Sequence, residues 1–235
     1  TITLKLADLV LCKSQYATEI FERYVGSRAQ YIGFASHSSS SFGLSQDRFE
    51  KDFELFLHVA GGSQSKGTSR LIDVWKTLKD PPKLIIVQRE GNAPNRMLLP
   101  DSIELITQYL PEEDLNCLKM KAGIHICPSE AEGFGHNLFQ GMLCRSVVVT
   151  TNFPPMNELV NAKRGYLVEI DSVESRRLGH TAKVSESALA DTISIIRATD
   201  KHTLQNLGLS AKKFADCEAN HFRERFQRVI RGLVA

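Results

Sequence analysis

The residues whose types and spacing could do chemistry are concentrated in His125 to Gln140, His-Ile-Cys-Pro-Ser-Glu-Ala-Glu-Gly-Phe-Gly-His-Asn-Leu-Phe-Gln. A short apolar strand runs there into an acidic, glycine-punctuated turn and then into a helix, the layout of a ligand site at the carboxyl end of a strand. Gly133 and Gly135 let the backbone come close to a ligand. The helix opening at His136 points unpaired N–H groups and its positive dipole end at whatever binds, which favours an anion or a hydroxyl-rich molecule. Glu132 sits in the turn and Gln140 follows eight residues on. At ~3.6 residues per turn that spacing predicts one shared helix face, from which the two grip different parts of one ligand. Glu130 reads as solvent-facing, and His136 either contacts the ligand or makes a local hydrogen bond at the helix start.

A second constellation is Val59-Ala60-Gly61-Gly62-Ser63-Gln64-Ser65-Lys66-Gly67. Glycines and a lysine between a strand and a helix can hold a diphosphate. The Walker spacing is absent, because no glycine stands directly before Lys66. The seven histidines are scattered and no Asp-x-Asp occurs, so no metal site is expected. No Gly-x-Ser-x-Gly elbow marks a serine hydrolase. A dinucleotide enzyme would need Gly-x-Gly-x-x-Gly, which Gly61 to Gly67 does not supply.

The elements that must position these residues alternate. The pattern predicts a strand over 3–12, a helix over 14–25 with Ser14 as its N-cap, and a strand over 30–34. A serine-rich stretch follows, Ser36 to Ser41 around His37, read as a flexible loop or hinge within 36–54. Strands are then expected at 55–60, 84–88, 103–109, 124–127, 147–151 and 166–170. Helices are expected at 69–78, 112–122, from His136, at Asn157, at 186–197, and at 202–233 with a break near Gly208. Near-continuous Val, Ile and Leu runs interleaved with helices indicate an α/β fold with a doubly wound, Rossmann-like parallel sheet covered on both faces.

With 42% apolar and 24% charged residues in 235, the chain has enough apolar surface for one sizeable core or two unequal lobes. A formal charge of +2 and the lack of a dense basic block argue against nucleic acid. The run Arg223, Arg225, Arg228, Arg231 reads as a solvated helix face. Five dispersed cysteines without Cys-x-x-Cys spacing suggest free thiols in a reducing, cytoplasmic setting. No apolar run approaches the ~20 residues that span a bilayer, and no signal peptide is evident. A start at Thr1 suggests a piece cut from something longer.

Pro128-Ser129-Glu130-Ala131-Glu132-Gly133-Phe134-Gly135, followed by Gln140-Gly141-Met142, resembles the Glu-x7-Glu signature of family 4 retaining glycosyltransferases. Gln140 stands where that family has its second Glu. The resemblance implies a GT-B architecture of two Rossmann-like domains. Residues 1–35 would be a remnant of the N-terminal acceptor domain and 55–235 the nucleotide-sugar donor-binding domain, the donor half. It implies transfer of a sugar from a nucleoside-diphosphate-sugar to a carbohydrate or other acceptor hydroxyl, with no further cofactor. A membrane contact, if any, would belong to the acceptor domain outside this chain. By the resemblance Glu132 binds the sugar, Gln140 the ribose, and Lys66 with Gly61, Gly62 and Gly67 the diphosphate. Tyr109 and Leu110 would flank the base, and Gly133, Phe134, Gly135 and His136 the donor. The family's Val-Gly-Arg before Lys-Gly is broken, since Gly61 and Gly62 occupy the arginine's place; Arg89 and Arg70 are candidates to replace it. Main-chain groups at 155–157 are candidate sugar contacts, and Glu158 is either a further contact or a structural acid that anchors their loop. The two departures leave a second reading, a nucleotide-sugar-binding module with dampened catalysis.

Overall fold

The computed structural model describes residue 4, residues 6–36 and residues 49–234. The serine run after Ser36 and most of the expected hinge lie outside the described residues, as do residues 3 and 5 of the first expected strand, whereas residues 4 and 6 are helical rather than extended.

Strand β1 (Val10–Cys12), helix α1 (Gln15–Val25) and strand β2 (Ala29–Tyr31) form a small parallel unit of their own. Ser14 caps α1 as its sequence suggests, its Oγ accepting from Ala17 N at 3.1 Å. Both strands are shorter than expected, because only three residue pairs face each other across them.

The main body follows: β3 (Asp52–Gly61), α2 (Thr68–Thr77), β4 (Lys83–Gln88), β5 (Ile103–Ile106), α3 (Glu112–Lys121) and β6 (Ala122–Cys127). Next come α4 (His136–Leu143), β7 (Val147–Thr151), α5 (Met156–Leu159) and β8 (Gly165–Val168). Strands β3 to β8 make one six-stranded, all-parallel sheet in the order β5-β4-β3-β6-β7-β8. Alternate residues enter opposite layers, as strand pleating requires. Phe56, Ile124 and Val147 pack with Leu71 and Trp75 of α2, whereas Val148 packs with Leu138 and Met142 of α4. Leu57 and Ile85 pack toward Leu118 of α3. Burial on both faces explains the unbroken apolar runs. Strand β5 stops at Ile106, three residues short of expectation, where its pairing with Val87 of β4 ends; Tyr109 is left exposed.

One hairpin was not legible. Strands β9 (Ile170–Arg176) and β10 (Gly179–Val184) pair antiparallel around Arg177 and Leu178, with Arg177 at φ 55°. Two-residue hairpin turns usually announce themselves by Asn-Gly or Asp-Gly, and here arginine takes the left-handed position instead.

The chain ends in α6 (Glu186–Ala198) and α7 (Lys201–Val234). The expected break near Gly208 does not occur. Gly208 serves contact instead: a Cβ there would lie 2.1 Å from the Arg145 carbonyl oxygen. In an exposed helix Gly→Ala gains about 1 kcal/mol, but backbone overlap of this kind costs about 1–3 kcal/mol or more. Gly208→Ala should therefore lower stability, by up to about 2 kcal/mol, in urea unfolding; an increase would show that α7 does not press on Arg145. Nor is the arginine run uniformly solvated, because Arg225 lies 4.8 Å over the Tyr31 ring and pairs with Glu218 at 3.3 Å. Helix α7 thus braces the β1–α1–β2 unit. All five cysteines are free thiols, and among the described residues no helix is long and apolar enough to cross a membrane.

Candidate functional site

From β3 the chain proceeds to β4 and β5 on one side, and from β6 to β7 and β8 on the other. The order therefore reverses between β3 and β6, and loops leaving their carboxyl ends diverge to open a crevice, where open α/β sheets bind ligands. Those two loops are the two segments singled out by sequence.

They are fastened to each other. Glu130 N donates to Ser65 O at 3.0 Å, and Asn137 Nδ2 donates to Val59 O. Beneath them His58, fully buried, donates from Nδ1 to Ile126 O at 2.8 Å and accepts from Thr68 Oγ1 at 2.9 Å. Burial pushes the His58 imidazole down to about 4, which holds it neutral and fixes this tautomer. Across the crevice Lys66 forms an ion pair with Glu132, their side chains only 16% and 9% exposed. Each is nearly desolvated and each satisfies the other, an arrangement that a ligand offering both an anion and hydroxyls can exchange.

Glu132 precedes α4 rather than lying on it, so it shares no helix face with Gln140. Gln140 instead lines a pocket of about 430 Å³ with Val59, Tyr109, Leu110, Asn116 and Lys119. That volume suits a nucleoside-sized group. Three residues expected at the base and ribose, Tyr109, Leu110 and Gln140, thus meet in one cavity. Lys119 was not anticipated: its ammonium donates to Gln140 Oε1 at 2.9 Å, and burial pulls it below the usual lysine range. Its neighbour Lys51 donates to Lys119 O and Ala122 O at the end of α3 and to Ser146 Oγ, with burial bringing it down to about 8. A larger cavity, about 480 Å³, lies around Glu50, Asp52 and Lys201 at the amino end of β3. That is the opposite end of the sheet from the one where open parallel sheets bind ligands.

The Gly61–Gly67 loop and the Gly133–His136 turn face the same crevice. The Phe134 side chain is buried between Phe34 and Phe139, so only its main chain could meet a ligand. The His136 ring stands edge-on to Phe34 at 4.9 Å. Arg70 is already committed, to Asp171 at 2.7 Å and Val184 O at 2.9 Å. Glu158 takes a structural role at a distance from its own loop: its carboxylate accepts from Gln15 N and Tyr16 N, both at 2.8 Å, at the amino end of α1.

The sequence model of the family "Glycosyl transferases group 1" matches residues 44–178. The chain belongs to this family. That match contains both crevice loops and most of the residues lining the 430 Å³ pocket. No curated protein matches the chain in sequence. Among solved structures it is similar to a sucrose-phosphate synthase from Thermosynechococcus elongatus, with TM-score 0.74 at 17% identity over 99% of this chain and 60% of that one. A glycosyltransferase from Rickettsia africae gives 0.76 at 15% identity over 100% of this chain and 65% of that one. Anabaena HepE in complex with UDP and glucose gives 0.74 at 18% identity over 99% and 65%. These likenesses establish the Rossmann-like fold of GT-B glycosyltransferases, and the chain spans 60 to 65% of the length of these three structures. Lys119 and Asn116 escaped sequence reading because buried polar residues on a helix carry no apolar periodicity.

Proposed function

We propose that this glycosyltransferase chain carries the nucleotide-sugar site of a retaining, family 4-type enzyme. Residues 55–235 would be the donor-binding domain, residues 1–35 the remnant of the acceptor-binding domain, and 36–54 their connection. The observation that carries the reading is the Lys66–Glu132 pair at the switch point, beside a pocket lined by Gln140, Tyr109 and Leu110. A nucleoside diphosphate exchanges that pair. Its phosphates take Lys66 and the amides of the Gly61–Gly67 loop, its sugar hydroxyls take Glu132, and its ribose meets the Gln140 amide. In transfer to an acceptor hydroxyl the departing diphosphate gains negative charge, and preorganised donors at that point supply the main rate effect. No side-chain nucleophile is assigned; retention then rests on how leaving group and acceptor are held on one face of the sugar. That HepE holds UDP and glucose supports a nucleotide sugar as the ligand class.

A second reading, binding with dampened turnover, has its own support: Gln140 is neutral and its oxygen is already occupied by Lys119.

Titration calorimetry with UDP, GDP, ADP and NAD tests the site. One diphosphate should bind, and Lys66→Ala should weaken it about tenfold or more, the scale of one charge-assisted hydrogen bond. Glu132→Ala should behave differently. It frees Lys66, so the bare diphosphate should bind as well or better, while the extra affinity of the sugar-bearing donor disappears. Binding of none of the four, or of NAD alone, would remove the donor-site assignment.

A further inference from the structure

Lys66 is the cation nearest the crevice, yet its charge is cancelled by Glu132. A diphosphate brings at least two negative charges, so the loop needs another positive group. Gly61 and Gly62 bring no side chain. The space beside Gly62 is filled from the next strand: a Cβ there would lie 3.3 Å from Arg89 Cδ and 3.7 Å from Arg89 Nε and Nη1. The Arg89 side chain therefore runs along the glycine loop, in the place a side chain at position 62 would enter.

Its position is fixed from both ends. Arg89 N donates to Gly61 O at 2.9 Å, where the β3–β4 register shifts. Asn92, three residues on, donates from Nδ2 to Gly62 O at 2.9 Å and accepts from Gln64 Nε2 at 3.2 Å. The turn carrying Arg89 and the loop carrying Lys66 are thus one hydrogen-bonded piece. Lys66 is four positions on from Gly62, a reach of at most about 14 Å, and the bond from Ser65 N to Ser63 Oγ at 3.3 Å folds it shorter.

Other arginines nearby are occupied. Arg70 is held by Asp171 and Val184 O, and Arg176 donates to Ser65 Oγ at 2.7 Å from the hairpin. Arg89 is exposed and, among the described residues, its guanidinium makes no ion pair or hydrogen bond. A free guanidinium fork presents paired N–H donors in the geometry phosphate oxygens accept.

We infer that Arg89 is the second cation of the diphosphate site, with Gly62 kept small so that the guanidinium can lie over the loop. The inference rests on the donor-site reading above and names the residue that completes it. Arg89 binds the phosphates of the nucleoside diphosphate, and during transfer it holds the charge that develops on the leaving group.

The test is calorimetric titration of the chain with UDP, GDP and ADP, and with uridine, guanosine and adenosine as uncharged controls. Arg89→Ala should weaken the diphosphate that binds by about tenfold or more and leave the matching nucleoside within twofold, a split that a merely structural role would not produce. Arg89→Lys should recover part of the loss. Gly62→Arg combined with Arg89→Ala, which moves the fork onto the loop through the vacated space, should recover it as well. Arg176→Ala should bind like the unaltered chain. If the unaltered chain binds a diphosphate and Arg89→Ala binds it equally well, or if Arg176→Ala alone carries the loss, the inference is wrong and the donor site stands. If the unaltered chain binds none of the three, the donor site falls and Arg89 with it.

Discussion

Between pH 6.5 and about 4 the chain should lose several kcal/mol of folding stability, up to about 1.4 kcal/mol per pH unit for each of two buried histidines. His58 is pushed down to about 4 and His125 to about 3, in both cases chiefly by burial and further by lysines, Lys66 beside His58 and Lys51 and Lys119 beside His125. The folded protein keeps both rings neutral. The unfolded chain takes up their protons near the ordinary value of about 6.5, so below that pH the unfolded state binds more protons and gains ground. The stabilisation is complete above pH 6.5 and is lost as pH falls toward the folded values. Surface carboxylates titrate mainly below about pH 5, so the slope between pH 6.5 and 5.5 is the part that belongs to the histidines. Urea unfolding at pH 7, 5.5 and 4.5 reads the slope directly. His125→Gln, which can still donate toward Lys119 O, should remove about half of it. An unfolding free energy flat over that range would mean that solvent reaches the rings.

Gly67→Ala should be the most damaging single methyl in the site, costing about 4 kcal/mol and weakening nucleoside diphosphate binding by more than Lys66→Ala does. Gly67 has φ 69°, where an L side chain costs about 1–2 kcal/mol. Its added Cβ would lie 2.1 Å from the Pro128 carbonyl oxygen, an overlap with backbone that costs a further 1–3 kcal/mol or so. Relief requires the loop after β3 to move away from the loop after β6, which breaks the Glu130–Ser65 bond and parts Lys66 from Glu132. Thermal unfolding gives the stability term and calorimetric titration the affinity. A variant of unchanged stability would show that the loops do not press together at that point.

The stretch from His125 to Gln140 was legible because strand, glycine turn and helix follow one another locally, each with its own signature. The parallel sheet was legible for a similar reason, since burial on both faces leaves unbroken Val, Ile and Leu runs in β4, β6 and β7. Helix α1 and its cap could be read from Ser14 and the apolar face of Ile20, Phe21 and Tyr24.

Several features could not be read this way because they depend on partners distant in sequence. Whether Gly208 breaks a helix or admits a neighbour depends on Arg145 lying against it. Strand β5 stops where β4 stops pairing. The Lys66–Glu132 pair joins residues 66 positions apart, and eight-residue spacing wrongly suggested that Glu132 and Gln140 share a face. Lys119 on Gln140 and Arg89 over Gly62 are likewise products of how strands β3, β4 and β6 lie side by side. Most strands and helices, and the loops able to bind an anion, were readable from local sequence because propensity, capping and burial pattern act over a few residues. Which charges meet was not, because electrostatic pairing depends on distance through space, and the strand order that sets those distances is a property of the assembled sheet.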